Sequence, residues 1–514
     1  MCCCEMKRRT FLGFGAGMVA GLGLPYATSQ EPVPKMAWTD DLWNPDRPFA
    51  FKAKPLRIQP ILMYRVPQRR EAASWKSWGG VQTHEAASEE AERIGKELDK
   101  LSSAAGFPMT LLPVVKVTSI DETLRLRTGE HDAVVLYPAA GTGELLRTCL
   151  SLSVNTAIFV RHRSGPAYYW YEALSLRYLQ PRGLENQQDA SLPAKGVSVD
   201  DVVVDDYSEL SSRLRALFGV NNFKGARIVA LGGPWGKYAP DAPTKAEQQY
   251  KLEIINVSYD DLGRRIRSVM SNPEQVTRAQ HWTERYLSLS ETTLDTDRQF
   301  VINAFLLYGL FKELLLEHSA SIFTINSCMG TILPMAKTTA CLTLSLLNDE
   351  GLVAFCESDF VIIPAGILLH YLSGKPVFLH NSTFPHKAMV TCAHCTAPRR
   401  MDGVRYEPAR VVTHFESEYG AAPKVQMPVG QLVTFINPEF VTGRWVGMRG
   451  IVEDNPSYEI CRSQQDVRIQ GNWKKLLNEV RDSHWVMVYG DYLQEIEHAA
   501  RKIGVSMEVL CDEL

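Results

Sequence analysis

The sequence predicts an α/β protein in which two parallel-sheet domains are followed by a β-rich C-terminal domain. Three observations carry this. From residue 56 to about 207, strand-like apolar runs alternate with stretches of helical period. The alternation restarts near residue 208. After about residue 385 it gives way to short β-like runs separated by Gly and Pro. Alternating strands and helices argue for a parallel sheet covered on both faces. Short strands joined by turns argue for antiparallel pairing. A length of 514 residues suits about three domains.

The N-terminus comes first. "MKRRTFLGFGAGMVAGLGLPYA", from Met6, pairs a basic start with a Gly/Ala-rich apolar stretch. It resembles a twin-arginine export signal spanning residues 1–27, with cleavage expected after Ala27 and either Met1 or Met6 as the start. The apolar stretch is short and Gly-rich for a bilayer span, which needs about 20 residues. No stable membrane insertion is therefore expected once the signal is removed, and the protein is expected outside the cytoplasm. Residues 28–55, rich in Pro and Asp, read as an extended arm.

Residues 56–207 form the first expected α/β domain. "LRIQPILMYR", "MTLLPVVKV", "DAVVLYP" and "NTAIFVRH" read as strands, and "EAASEEAERIGKELDKLSSAAG" as a helix stopped by Gly106. Residues 208–384 repeat the scheme, with "ARIVALGG" and "SIFTINSC" as strands and "DTDRQFVINAFLLYGLFKELLLEHS" as a long helix. Residues 385–514 hold "AMVTCAHCTAP", "ARVVTHFES", "GRWVGMRGIVED" and "SHWVMVYG" as β runs, then the helix "DYLQEIEHAARKIG".

The charge balance excludes one class of function. With 55 basic and 58 acidic residues the net charge is −3, and past the first ten residues no basic run occurs. Nucleic acid is not an expected partner. An oxidoreductase of the dinucleotide-binding type would show GxGxxG after its first strand. "GGPWG" and "AAGTGELL" are poor versions of it and read more simply as turns.

The chemistry concentrates in "GLVAFCESDFVIIPAGILLHYLSGKPVFLHN", residues 351–381. Two apolar runs end in polar, metal-competent side chains: Cys356, Glu357, Ser358 and Asp359 after the first, His380 and Asn381 after the second. Sites in parallel sheets lie beyond the carboxyl ends of strands, so neighbouring strands would set these groups side by side. The plain alternative is that Ser358 and Asp359 cap the following helix. In "TCAHCTAP", His394 lies between Cys392 and Cys395, a CxxC that fits a redox pair or half of a zinc site. His484 precedes the last apolar strand.

"CESD…LLHYLSGKPVFL", "AHCTAP", "THFESEYGAAPKVQMPVGQLVTFI" and "SHWVMVYGDYLQEIEHAARKIG" resemble the C-terminal half of the L-fucose and L-arabinose isomerase group, over about residues 320–510. The resemblance implies two Rossmann-like domains followed by a β-rich domain. It implies a divalent cation, usually Mn2+, and an aldose–ketose interconversion through an ene-diol. It also implies a trimer or hexamer acting on a small sugar or polyol. Glu357 matches the family's carboxylate that is both ligand and base or acid. His394 and His484 match its histidines.

The family's second carboxylate has no counterpart after Val377–Leu379. Three substitutes are weighed: His380 as ligand and proton carrier, Asn381 as a neutral oxygen ligand, and Asp359 as the second carboxylate. The expected catalytic residues are thus Glu357, His380 and Asp359, and the expected metal ligands Glu357, His394, His484 and Asn381. The alternative is a non-isomerising relative that binds metal or carbohydrate.

Overall fold

The computed structural model describes residues 36–128, 131–163, 196–439, 443–479 and 482–510, together with Leu174 and Leu179. The expected signal and the first part of the arm lie outside the described residues.

The first sheet is parallel throughout. Its strand order runs Met109–Leu111, Leu56–Met63, Ala133–Pro138, Thr156–Val160, Val202–Val204, with Val115–Val117 also pairing to Leu56–Met63. Ala133–Pro138 is buried at every position. A strand covered on both faces reads as a continuous apolar run, which is how this one was recognisable.

The second sheet is also parallel, in the order Val353–Phe355, Ile322–Ile325, Arg227–Leu231, Glu253–Val257. Helices Arg298–Glu317, Cys341–Asp349 and Ile363–Ser373 supply most of the apolar cover around it.

The C-terminal region closes into an antiparallel barrel. Around it run Leu432–Pro438, His484–Tyr489, Phe378–Ser382, Met389–His394, Ser463–Gln470 and Arg444–Asp454, and the last pairs back to the first. Ser506–Val509 adds a parallel edge. Closure removes free sheet edges. A separate small sheet joins Ala422–Val425 and Ala409–Val412 to Thr292–Asp295, from the preceding α/β region.

Two expectations need correction. The run ending in His380 and Asn381 is not a neighbour of Val353–Phe355 in the parallel sheet. Phe378–Ser382 is a stave of the barrel, so β-barrel structure begins before residue 385. The arm, irregular as expected, is not free of the fold. Trp43 is 1% exposed and packs against Tyr286 and Phe305. Trp38 stacks on Trp282 and its Nε1 donates to Glu313 Oε1 at 2.7 Å. Two large indoles bury more apolar surface than a Pro- and Asp-rich reading of the segment reveals.

Helix Ile363–Ser373 sets the spacing between the second sheet and the barrel. Gly366 lies where a Cβ would sit 2.5 Å from Phe355 Cζ and 3.3 Å from Val486 Cγ1. Only glycine lets the helix approach both strands this closely. The ends of those two strands carry the residues of interest.

Candidate functional site

The chain leaves Val353–Phe355 through a contorted turn. Glu357 has φ 70° and Ser358 φ 45°, the left-handed region for two successive residues with side chains. Such residues cost about 1–3 kcal/mol each and persist where the surroundings over-determine them. Here the "PWGKY" loop is stitched alongside. Trp235 N–H donates to Ser358 O at 3.2 Å, and Phe360 N–H donates to Trp235 O at 2.9 Å. Lys237 N–H donates to Asp359 Oδ1 at 3.0 Å.

Asp359 is fully buried. Its Oδ1 also accepts from Val361 N–H at 3.2 Å, so the capping role weighed from sequence is met locally, although the helix itself starts at Ile363. Its Oδ2 takes the Nδ1–H of His484 at 2.7 Å. A carboxylate oxygen accepts here, so Nδ1 carries a proton and the ring orientation is set.

His484 opens the strand His484–Tyr489 and is fully buried. Its Nε2 faces Glu357 Oε2 at 3.3 Å and makes no well-formed hydrogen bond. Burial opposes charge on the imidazole. The hydrogen bond to Asp359, with the close negative charges of Glu357 and Asp359, outweighs it and raises His484 to about 9. Burial also pushes the Glu357 carboxyl up. The nearby charge of His484, then those of His394 and Lys237, outweigh that and hold it at about 2.

Pairing register decides what else faces this pair. Asn381 stands opposite His484, and His380 opposite Trp485. Successive side chains on a strand point to opposite faces. Asn381 therefore shares the His484 face. His380 lies on the barrel's interior face, among the rings of Phe378, Phe435 and Trp485 at 5.4–6.3 Å. Burial drives its pKa down to about 3, so it is neutral. The expected placement of His380 as a proton carrier in the site is corrected: a one-residue register step turns it into the core.

His394 shares the interior-facing parity of Cys392, at the strand's end. Its Nδ1 meets Thr396 Oγ1 at 3.0 Å, and it lies close enough to Glu357 to help lower that carboxyl. The CxxC reading also fails as a pair. Cys392 belongs to the barrel core and Cys395 to a separate small cluster, because positions three apart on a strand face opposite ways.

Of the expected residues, then, Glu357, Asp359 and His484 meet directly. Asn381 shares their face, His394 lies nearby, and His380 is turned away. Sequence reasoning missed Lys237 and Asp482. Asp482, Asp359 and His484 each offer a ligand atom within 4.8 Å of the others. Burial raises the Asp482 carboxyl. Its signal was present two residues before His484 in "RDSHWV".

A divalent cation fits this donor set. A metal-bound histidine commonly gives its other ring N–H to a carboxylate, which orients it. Asp359 already holds Nδ1 in that way, leaving the buried Nε2 without a partner and aimed at a carboxylate. His484 would be one ligand and the Glu357 carboxylate, 3.3 Å from its Nε2, another.

No protein-family model matches the chain, and no curated protein matches it.

Proposed function

We propose that the protein is an exported, metal-dependent sugar- or polyol-binding relative of the aldose–ketose isomerases that does not itself isomerise. Its two parallel sheets correspond to the family's Rossmann-like domains. One observation carries the choice between the two readings. Asn381, not His380, stands on the His484 face. Proton transfer between adjacent sugar carbons needs a base within reach of one and an acid or base at the other. Glu357 supplies one such group. Asp359 is committed to His484 and two backbone N–H groups, so it orients the imidazole and carries no mobile proton. Asn381 cannot titrate.

A bound cation would hold two neighbouring sugar hydroxyl or carbonyl oxygens and polarise them. Glu357 accepts a hydrogen bond or binds the cation. Lys237, whose charge acts on Glu357, adds positive potential beside it.

A second reading has one observation in its favour. Asp482 is a buried carboxylate near His484, raised by burial, and would give the missing proton-transfer group.

Calorimetric titration of the purified full chain with Mn2+, then with a pentitol, combined with an aldose panel assayed for ketose, separates the readings. Metal and polyol binding without ketose supports the first. Ketose formation that disappears in Asp482→Asn supports the second. Absence of metal binding in the wild type defeats both.

A further inference from the structure

Five cysteines from five separated stretches converge beside the Glu357 turn. Cys328 and Cys341 open helices Cys328–Ala336 and Cys341–Asp349. Cys356 precedes Glu357, Cys395 follows the strand Met389–His394, and Cys461 lies just before Ser463–Gln470. Three of them meet. Cys341, Cys395 and Ala422 form a small buried cluster, and Cys461 packs against it. Cys341 and Cys461 both lie beside the Cys395 thiol, close enough to bear on its ionisation. Arg462 N–H donates to the same sulfur at 3.4 Å. All seven described cysteines are free thiols.

A buried free cysteine alone is an ordinary small hydrophobe. Cys149 and Cys392 behave so, each inside a larger aliphatic or aromatic cluster. Packing alone does not require three sulfurs to face one another. The contacts support a closer relation. Both strands have ended here, so Cys395 and Cys461 lie in bends outside the last rung at His394 and Ser463. Arg462 N–H reaches the Cys395 sulfur, which sets the adjoining Cys461 backbone against that thiol, and Cys461 packs on the Cys341–Cys395 cluster. Cys461 is partly exposed, whereas Cys341 and Cys395 are buried, so an oxidant approaches the cluster from the Cys461 side.

We propose that Cys461 and Cys395 are a redox pair that closes to a disulfide on exposure to a hydroperoxide. Cys341 and Cys461 beside it favour the thiolate of Cys395, whose sulfur attacks the terminal peroxide oxygen. The O–O bond breaks, the alcohol (water, for hydrogen peroxide) departs with the proton Cys395 released, and Cys395 becomes a sulfenic acid. The Cys461 sulfur then attacks the Cys395 sulfur. The S–O bond breaks, water departs with the Cys461 proton, and the disulfide forms. The two sulfurs together lose two electrons and the peroxide gains them. The sugar-binding reading plays no part in this chemistry.

The test is hydrogen peroxide treatment of the reduced full chain, alkylation of remaining thiols, and peptide mapping without reductant. A linked peptide holding Cys395 and Cys461, present in most of the protein and released by dithiothreitol, is expected. It should vanish in Cys461→Ser, while Cys392 stays alkylatable in every sample. Full alkylation of Cys395 at a peroxide dose that oxidises free glutathione would overturn the pair. So would a wild-type map in which Cys395 links only to another cysteine. The wild-type map decides even if the serine variant folds poorly.

Discussion

Asn381 and His484 face each other across one rung of the barrel, on the side turned toward Glu357. A neutral amide thus shares the face of the buried imidazole. Replacing it with Asp adds a charged oxygen to the donor set. Asn381→Asp is expected to tighten Mn2+ binding about 10-fold or more, within the range that changes around a ligand set produce. Titration calorimetry reads this directly. Unchanged affinity would place Asn381 outside the ligand sphere.

Asp359 should matter through His484. Asp359→Asn keeps an oxygen for the Nδ1–H bond but removes the charge that orients and supports the imidazole. Metal affinity should fall about 10–100-fold, the usual cost of altering such a supporting carboxylate. Asp359→Ala should go further and destabilise the fold by about 3–5 kcal/mol, because it strands a buried charged partner. Denaturant unfolding of both variants beside the metal titration separates the two effects.

His380 should be dispensable for ligand binding. Its Nε2 is buried without a hydrogen-bond partner, and aromatic rings surround it. His380→Leu should leave Mn2+ affinity within about twofold of wild type. Relief of the unpartnered Nε2 is offset by loss of the long Nδ1 contacts to Asn381 O and Ser382 Oγ, each 3.3 Å, so stability should change by about 1 kcal/mol or less. A loss of binding larger than 10-fold with intact thermal unfolding would return His380 to the site.

Stability should decline toward alkaline pH for a reason remote from the site. Glu407 is buried, accepts the Tyr489 hydroxyl at 2.7 Å, and is pushed by burial from 4.5 up to about 8. Between those values the folded chain keeps a proton that the unfolded chain has released. The folded state is therefore favoured on the acid side and loses stability as pH rises through this window, by up to about 1.4 kcal/mol per pH unit. Glu407→Gln should flatten that slope in denaturant melts at pH 5, 6.5 and 8. An unaltered slope would assign it to other groups.

The arm gives a truncation test. Removing residues 1–45 takes away Trp38 and Trp43. Loss of a buried indole costs about 3–5 kcal/mol. Calorimetry should show a midpoint several degrees lower for the deletion than for the full chain, and the double variant Trp38→Ala, Trp43→Ala should reproduce most of that fall.

How much of this was legible in the sequence depended on the physical signal involved. The parallel sheets announced themselves through apolar runs such as Ala133–Pro138, because burial on both faces leaves no room for alternation. Glu357 and His484 were legible because polar groups at strand ends are few and stand out. The facing of His380 and Asn381 was not, since the two differ by one residue and only the partner strand fixes which turns inward. Phe378–Ser382 pairs with the nearby Met389–His394, but its partner on the other side, His484–Tyr489, lies about a hundred residues later, and no local pattern points to it. Trp43 was hidden for the opposite reason: its neighbours Asp40, Asp41 and Pro45 look like solvent-facing linker, and one buried ring outweighs them.

Helix Ile363–Ser373, wedged at Gly366 between the second sheet and the barrel, leaves the site divided between two bodies. The acidic pair hangs from one and the imidazole from the other. A cation seated between them would act as a rivet. Ligand that binds the folded state alone raises its stability by RT ln(1 + [L]/Kd), about 2.7 kcal/mol at 100 times Kd. That gain would appear as one shared rise in the melting of sheet and barrel together. Chelation should loosen the seam first, so that amides along His484–Tyr489 exchange sooner than those in the first sheet.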